Sequence, residues 1–108
     1  MKYWTVGISP EAQKDLASIS MYYREVAPEQ VARFRNRYKE VLSTIREWPY
    51  LNQEDRPNVH HYKVPVFPYN VFYTIHEDDH SITITAVLHQ RRDPTLAVRR
   101  TEGHTHWA

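Results

Sequence analysis

Three prolines divide the first half of the chain into two segments. Proline suits the first turn of a helix but removes a hydrogen bond from its interior, so Pro10, Pro28 and Pro49 mark helix boundaries. Between them, apolar residues recur every three or four positions, as on one face of an amphipathic helix. These residues are Ala12, Leu16, Ile19, Tyr23 and Val26, then Val31, Phe34, Tyr38, Val41, Leu42, Ile45 and Trp48. The short break at Pro28 predicts an antiparallel helical hairpin.

In the second half of the chain the apolar period changes to two, which is typical of strands. We predict a strand at residues 3–8, a polar surface loop at residues 52–58, and strands at residues 60–64, 70–75 and 81–88. In the last strand, one face carries Ile82, Ile84, Ala86 and Leu88, and the other carries Thr83, Thr85, Val87 and His89. The apolar face needs cover, and the hairpin is the available cover.

The expected fold is therefore a two-layer α+β domain with an N-terminal strand, the helical hairpin and a three-stranded antiparallel meander. The hairpin should contact Ile82, Ile84 and Leu88 through four side chains, Leu16, Ile19, Phe34 and Tyr38. The opposite sheet face should stay partly open. A chain of 108 residues supports one core. We expect a single domain over residues 1–100 and a mobile tail over residues 101–108.

Composition excludes several kinds of function. The chain has no cysteine, so it has no disulfide and no thiolate metal site, and its net charge of +1 does not by itself indicate nucleic-acid binding. It has no apolar run of membrane length, and we expect a cytoplasmic protein. The pairs His60–His61 and His104–His106 lack carboxylate or cysteine partners, so we predict no metal site and no cofactor.

Two motifs in the sheet region carry a family resemblance. The stretches 67-FPYNVFYTI-75 and 86-AVLHQRRDP-94 closely resemble the closing motifs of the RelE/ParE superfamily of bacterial toxins, and 9-SPEAQKDLASI-19 looks like its first helix. The order of strand, two helices and antiparallel meander is also that of the superfamily. The resemblance covers about nine-tenths of the chain, up to Arg100, and is closest to ParE-like members.

The resemblance implies the toxin of a type II toxin–antitoxin module, of the kind associated with plasmid stabilisation. It implies a cognate antitoxin, ParD-like or of another family, whose acidic C-terminal segment neutralises the toxin. DNA would be reached only through this antitoxin. ParE-like members inhibit DNA gyrase, whereas RelE-like members cut messenger RNA on the ribosome.

Residue chemistry separates these two targets. RNA cleavage by the 2′-OH needs a proton-transfer group and a cation on the phosphate. If the chain is a nuclease, His89, Arg91 and Tyr73 are its candidates. RelE-like toxins have a Tyr, or a Glu with a His, near the C-terminus, but no tyrosine follows Tyr73 here. We therefore favour the gyrase inhibitor over the nuclease. A third alternative is a non-toxic protein that only binds its antitoxin as a co-repressor.

Two basic clusters are candidate contact surfaces. Arg91, Arg92 and Asp93 follow the last buried strand, where a rigid support would present them to the target. The alternative is that either arginine forms an internal ion pair with Asp93 or a nearby glutamate. The second helix carries further cations beside its apolar stripe, for which the resemblance implies antitoxin binding and for which solvated flanks are the alternative. They are Arg33, Arg35, Arg37 and Lys39.

Overall fold

The computed structural model describes residues 4–52 and 54–105, with side chains up to residue 102. Two helices are packed on one face of a five-stranded sheet, and a third helix lies on the other face. The elements are β1 (Thr5–Ile8), α1 (Pro10–Val26), α2 (Glu29–Glu47), β2 (Glu54–Arg56), β3 (Val59–Lys63), β4 (Tyr69–His76), β5 (Ser81–His89) and α3 (Thr95–Thr105). Within the described residues, no helix is long and apolar enough to span a membrane.

The hairpin of α1 and α2 forms where the prolines predict it. The Ser9 hydroxyl accepts a hydrogen bond from the Ala12 N–H at 3.1 Å, which caps α1, and Pro10 occupies the first turn. Leu16, Ile19, Phe34 and Tyr38 belong to the main buried cluster, as predicted. Val26 and Trp48 were assigned to the buried stripes, but both are exposed. They stand at the helix ends, beyond the part of the stripe that the sheet covers.

The sheet is larger than the predicted three-stranded meander. Its order is β1-β5-β4-β3-β2, and β1 pairs parallel with β5 whereas the other neighbours are antiparallel. The N-terminal strand is thus part of the sheet. Residues 54–56 form β2, although the polar stretch 52–58 was predicted to be a loop. All three residues of β2 are exposed, so this edge strand has no apolar alternation by which sequence could reveal it.

A β-bulge in β5 changes the face to which its residues point. Phe72 pairs with Ala86 and Tyr73 pairs with Ile84, so Thr85 has no partner in the ladder. Ile82 and Ile84 lie under the hairpin as predicted. Ala86 and Leu88, however, belong to a second cluster on the opposite face, so the prediction for them is wrong. The reason is the extra residue, which inverts the alternation.

The opposite sheet face, which we predicted to be partly open, is covered in part by α3. Ala97 is buried in the second cluster with four residues of the sheet, and Leu96 and Val98 pack against it. The four sheet residues are Val59, Phe72, Ala86 and Leu88. The helix crosses the predicted domain boundary at residue 100, and Thr101 beyond it is buried. Of the expected tail, residues 106–108 lie outside the described residues.

Candidate functional site

The exit of β5 is a hydrogen-bonded turn that we call the arginine turn, residues 89–93. The Arg91 N–H donates to His89 Nδ1 at 3.1 Å, and the Arg92 N–H donates to the His89 carbonyl at 2.8 Å. The Gln90 N–H donates to the Pro68 carbonyl at 2.8 Å, which ties the turn to the loop before β4. The backbone that carries the two arginines is therefore fixed, while both side chains are exposed.

Asp93 binds the start of α3 instead of the arginines. Its Oδ1 accepts hydrogen bonds from the Thr95 N–H at 2.9 Å and the Thr95 hydroxyl at 2.6 Å, and these bonds lower the pKa of the Asp93 carboxyl. Among the residues that the structure describes, no carboxylate lies within 4 Å of the guanidinium of Arg91 or Arg92. The alternative of an internal ion pair is therefore wrong, and both cations face solvent.

A groove of about 390 Å³ adjoins the arginine turn. It lies between the end of α1, the start of β4 and the end of β5. We call it the tyrosine groove. Its lining residues are Tyr22, Tyr23, Val26, Pro68, Tyr69 and His89. The Tyr69 and His89 rings meet edge to face at 5.4 Å between centroids. Burial, with a smaller effect of Tyr23, raises the pKa of Tyr69 to about 12. The phenol therefore stays neutral at physiological pH.

Of the three residues proposed for a nuclease, His89 and Arg91 lie together in the arginine turn, but Tyr73 does not join them. His89 pairs with Tyr69, whereas Tyr73 pairs with Ile84, so the two candidates stand four positions apart along β4, about 13 Å. Tyr73 is fully buried, and its hydroxyl donates to the Pro49 carbonyl at 2.8 Å. Burial raises the pKa of Tyr73 to about 12. This phenol cannot transfer a proton to a substrate held at the arginine turn.

The basic residues predicted on the second helix all project into solvent from α2. They are Arg33, Arg35, Arg37 and Lys39. Arg37 forms an ion pair with Glu40 at 3.2 Å, one turn along the helix. Between these cations the helix buries Phe34, whose ring lies 5.6 Å from that of Tyr69 in the wall of the tyrosine groove.

Two residues that the sequence did not single out hold the β5 bulge in place. Asp15 of α1 and Arg100 of α3 form an ion pair at 2.7 Å, and each side chain is 16% exposed. The Asp15 carboxylate also accepts the Val87 N–H at 2.9 Å, and Arg100 donates to the Thr85 carbonyl at 3.1 Å. We call this arrangement the bulge junction. It satisfies backbone groups that the bulge displaces, and it fixes the strand that leads into the arginine turn.

The sequence holds only a weak signal for the bulge junction. Asp15 stands beside Leu16 at the edge of the apolar stripe, and Arg100 is one of two adjacent arginines. Neither residue can be recognised as a partner without knowledge of the bulge, because 85 residues separate them.

A family model identifies the family of this chain, and a solved structure shares its fold. The model of the family described as ParE toxin of type II toxin-antitoxin system, parDE, matches residues 6–94. Among solved structures, a chain of the chromosomal ParDE TA system from P. aeruginosa has a similar fold, with a TM-score of 0.69 at 14% identity. The match covers 80% of this chain and 95% of that chain. No curated protein sequence matches.

Proposed function

Because the chain belongs to the ParE toxin family of type II toxin–antitoxin systems, we propose that it inhibits growth by binding DNA gyrase. One observation carries the choice of a binding mechanism over catalysis. The exit of β5 presents two solvent-facing arginines on a fixed backbone, while the only tyrosine proposed for catalysis is buried four positions away. A surface of this kind can bind a protein, whereas Tyr73, the tyrosine proposed as a proton-transfer group, is buried too far away to assist RNA cleavage there.

In this proposal, Arg91 and Arg92 contact the target directly. A guanidinium that has no internal carboxylate keeps its donors available, and an arginine at the centre of an interface can contribute 2 kcal/mol or more to binding, by the usual result of alanine scanning. Asp93 contributes indirectly, because its carboxylate caps α3 and sets the path of the chain after the turn. The target surface facing this turn would be acidic.

We propose that a cognate antitoxin neutralises the toxin through an acidic segment that binds the exposed cations of α2. The solved ParDE system from P. aeruginosa supports the existence of such a partner. Arg33 and Arg35 stand clear of any carboxylate within 4 Å among the described residues, whereas Arg37 already pairs with Glu40. The first two should therefore contribute more to antitoxin binding than Arg37 does.

The experiment compares two double variants of equal charge change. Arg91→Ala/Arg92→Ala should lose inhibition of gyrase supercoiling and of growth, yet bind the antitoxin. Arg33→Ala/Arg35→Ala should keep toxicity but bind the antitoxin at least tenfold more weakly. Both variants should melt within a few degrees of the parent, because all four side chains are exposed. Full toxicity of the first variant would contradict the target contact.

Two alternative functions give different outcomes in the same strains. A ribosome-dependent nuclease would produce codon-phased cuts in messenger RNA while supercoiling stays undisturbed. A non-toxic co-repressor would leave growth unchanged on induction without antitoxin and would still enhance operator binding by the antitoxin. Primer-extension maps, supercoiling assays and operator-binding assays on the parent protein distinguish all three.

A further inference from the structure

Val66 has a backbone conformation that its side chain disfavours. It lies in a turn closed by a hydrogen bond from the Phe67 N–H to the Val64 carbonyl at 3.3 Å, with Pro65 before it. The φ angle of Val66 is 74°, in the region that type II turns require at this position and that glycine or asparagine normally fills. For a β-branched residue this is a clear outlier. The side chain is also 81% exposed, so no packing inside the domain compensates.

The surrounding loop is held firmly enough to keep Val66 in this conformation. The Val64 N–H donates to the Tyr69 carbonyl at 2.9 Å, and Lys63 Nζ donates to the Phe67 carbonyl at 3.0 Å. Phe67 is buried, with its ring 5.3 Å from that of Phe34. Strained residues persist where the structure around them fixes the backbone in this way, and they concentrate at functional sites.

The exposed valine lies in the loop that leads to the tyrosine groove. Pro68, two residues after Val66, lines the groove, and the C-terminal half of α1 contributes its other wall. In that wall Tyr22 and Val26 each leave more than half of their surface exposed. Isolated exposed apolar residues are ordinary, but several around one concave site indicate an interaction surface.

The charge around the groove indicates what kind of partner fits. None of its six lining residues is acidic. The backbones of Arg91 and Arg92 are hydrogen-bonded to His89, which lines the groove, so two arginines follow directly in the chain from its wall. Among the described residues, neither guanidinium has a carboxylate within 4 Å. The complementary surface has an apolar side chain to enter the groove and carboxylates beside it to meet the arginines.

We propose that Val66 and the tyrosine groove form one docking surface that binds an apolar side chain flanked by carboxylates on the target enzyme. The inference rests on the proposed function and extends it, because it adds an apolar anchor beside the arginine turn. In this arrangement Val66 is retained for contact and not for stability. The fold keeps a disfavoured residue in the turn because the partner uses its side chain.

Replacing Val66 separates stability from function. Val66→Asn and Val66→Gly both suit the positive φ angle, so each should melt at the same temperature as the parent or higher. Each should also lose at least tenfold in growth inhibition and in affinity for the gyrase subunits, while antitoxin affinity changes less than twofold. The matched control is Leu51→Asn, another exposed apolar residue at a site away from the groove, which should leave all three readouts unchanged.

Two variants of opposite charge at Val26, which lines the groove, test whether the partner is acidic. Val26→Lys should retain more gyrase affinity than Val26→Glu, because the proposed partner is acidic. Circular dichroism should show that the two variants are equally folded, so that the difference in affinity reflects charge. Equal affinities, the reverse order, or a tenfold loss of antitoxin affinity in the Val66 variants would overturn the proposal. The last result would assign the surface to the antitoxin.

The experiments can refute the docking surface and the choice of gyrase as target independently of each other. If the parent protein leaves supercoiling unchanged, gyrase is the wrong target, and growth inhibition then decides on the docking surface. Loss of growth inhibition in Val66→Asn with intact antitoxin binding would support the surface for another target. Undiminished growth inhibition in that variant would refute the surface, whatever the target is.

Discussion

The two faces of the sheet are built differently although they share the same strands. The face under the hairpin buries a cluster of fifteen apolar and aromatic residues, whereas the face under α3 buries five in the described part of the chain. Burial of apolar surface is the main source of folding free energy. The hairpin face therefore determines whether the domain folds, and the α3 face determines where the chain goes after β5. The bulge at Thr85 shifts the alternation of β5. Ile82 and Ile84 before it lie under the hairpin, whereas Ala86 and Leu88 after it lie under α3.

The largest loss of stability should come from truncating a side chain that is buried under the hairpin. Ile84 is fully buried in the main cluster, so Ile84→Ala should lower the free energy of unfolding by about 2–5 kcal/mol. Leu88→Ala, in the small cluster, should fall at the lower end of that range because neighbouring side chains there can close part of the cavity. Urea unfolding measures both. A larger loss for Leu88→Ala would reverse the assignment of the two faces.

The next effect tests whether the bulge junction couples the faces. Asp15→Ala leaves the Val87 N–H without its acceptor and the Arg100 guanidinium with the Thr85 carbonyl but no carboxylate, which should lower the free energy of unfolding by about 2–4 kcal/mol. Asp15→Asn keeps an oxygen for Val87 and should lose less. In a thermal-denaturation cycle, Asp15→Ala combined with Arg100→Ala should lose less than the sum of the single variants. Strict additivity would show that the pair does not act as a unit.

A smaller loss of stability should occur at alkaline pH, and it should arise from tyrosines buried under the hairpin. Tyr38 and Tyr73, both under the hairpin, have a pKa raised by burial to about 12 from the ordinary 10. The folded state therefore holds its phenolic protons more tightly than the unfolded state. The resulting stability is complete below pH 10 and is lost as the pH rises through 12. Absorbance titration of tyrosinate should show these two groups ionising only as the protein unfolds.

The smallest effect should appear in acid and should be confined to α3. Hydrogen bonds from Thr95 lower the pKa of Asp93 below its ordinary 3.8, so the capped helix is favoured above that pH and loses this support as the pH falls through the folded-state value. The hydrogen-exchange protection factors of α3, corrected for the intrinsic rate at each pH, should fall below about pH 4, while the hairpin stays protected. Asp93→Asn retains a capping oxygen that does not titrate, and should abolish the acid dependence.

The two helices of the hairpin and the three central strands could be predicted because their signals are local. Pro10, Pro28 and Pro49 fix the helix ends, and the apolar period identifies the buried stripe between them. The bulge could not be predicted, since Ala86, Val87 and Leu88 are all buried and a strand covered on both faces shows no alternation. Because the bulge was not predicted, the orientation of Ala86 and Leu88 was predicted wrongly.

The candidate site also has some features that the sequence predicts and others that it does not. Arg91 and Arg92 could be predicted to be exposed, because charged residues directly after a buried strand have little alternative. The positive φ angle of Val66 leaves no trace in composition or periodicity, and a proline followed by valine is a poor match to the turn that forms. The roles of Asp15 and Arg100 depend on contacts across 85 residues, which one sequence does not reveal.

The parallel pairing of β1 with β5 has a consequence for the order of folding. Thr5 and Ser81 are neighbours in the sheet, so the first strand closes a loop that spans most of the chain. Closing such a loop is slow compared with forming the local hairpin, and it must wait until residues 81–89 have left the ribosome. At ordinary translation rates of about 5–20 residues per second, the chain spends several seconds without its complete sheet. We expect the arginine turn to acquire its rigid support only after β5 has been synthesised and has paired with β4 and β1.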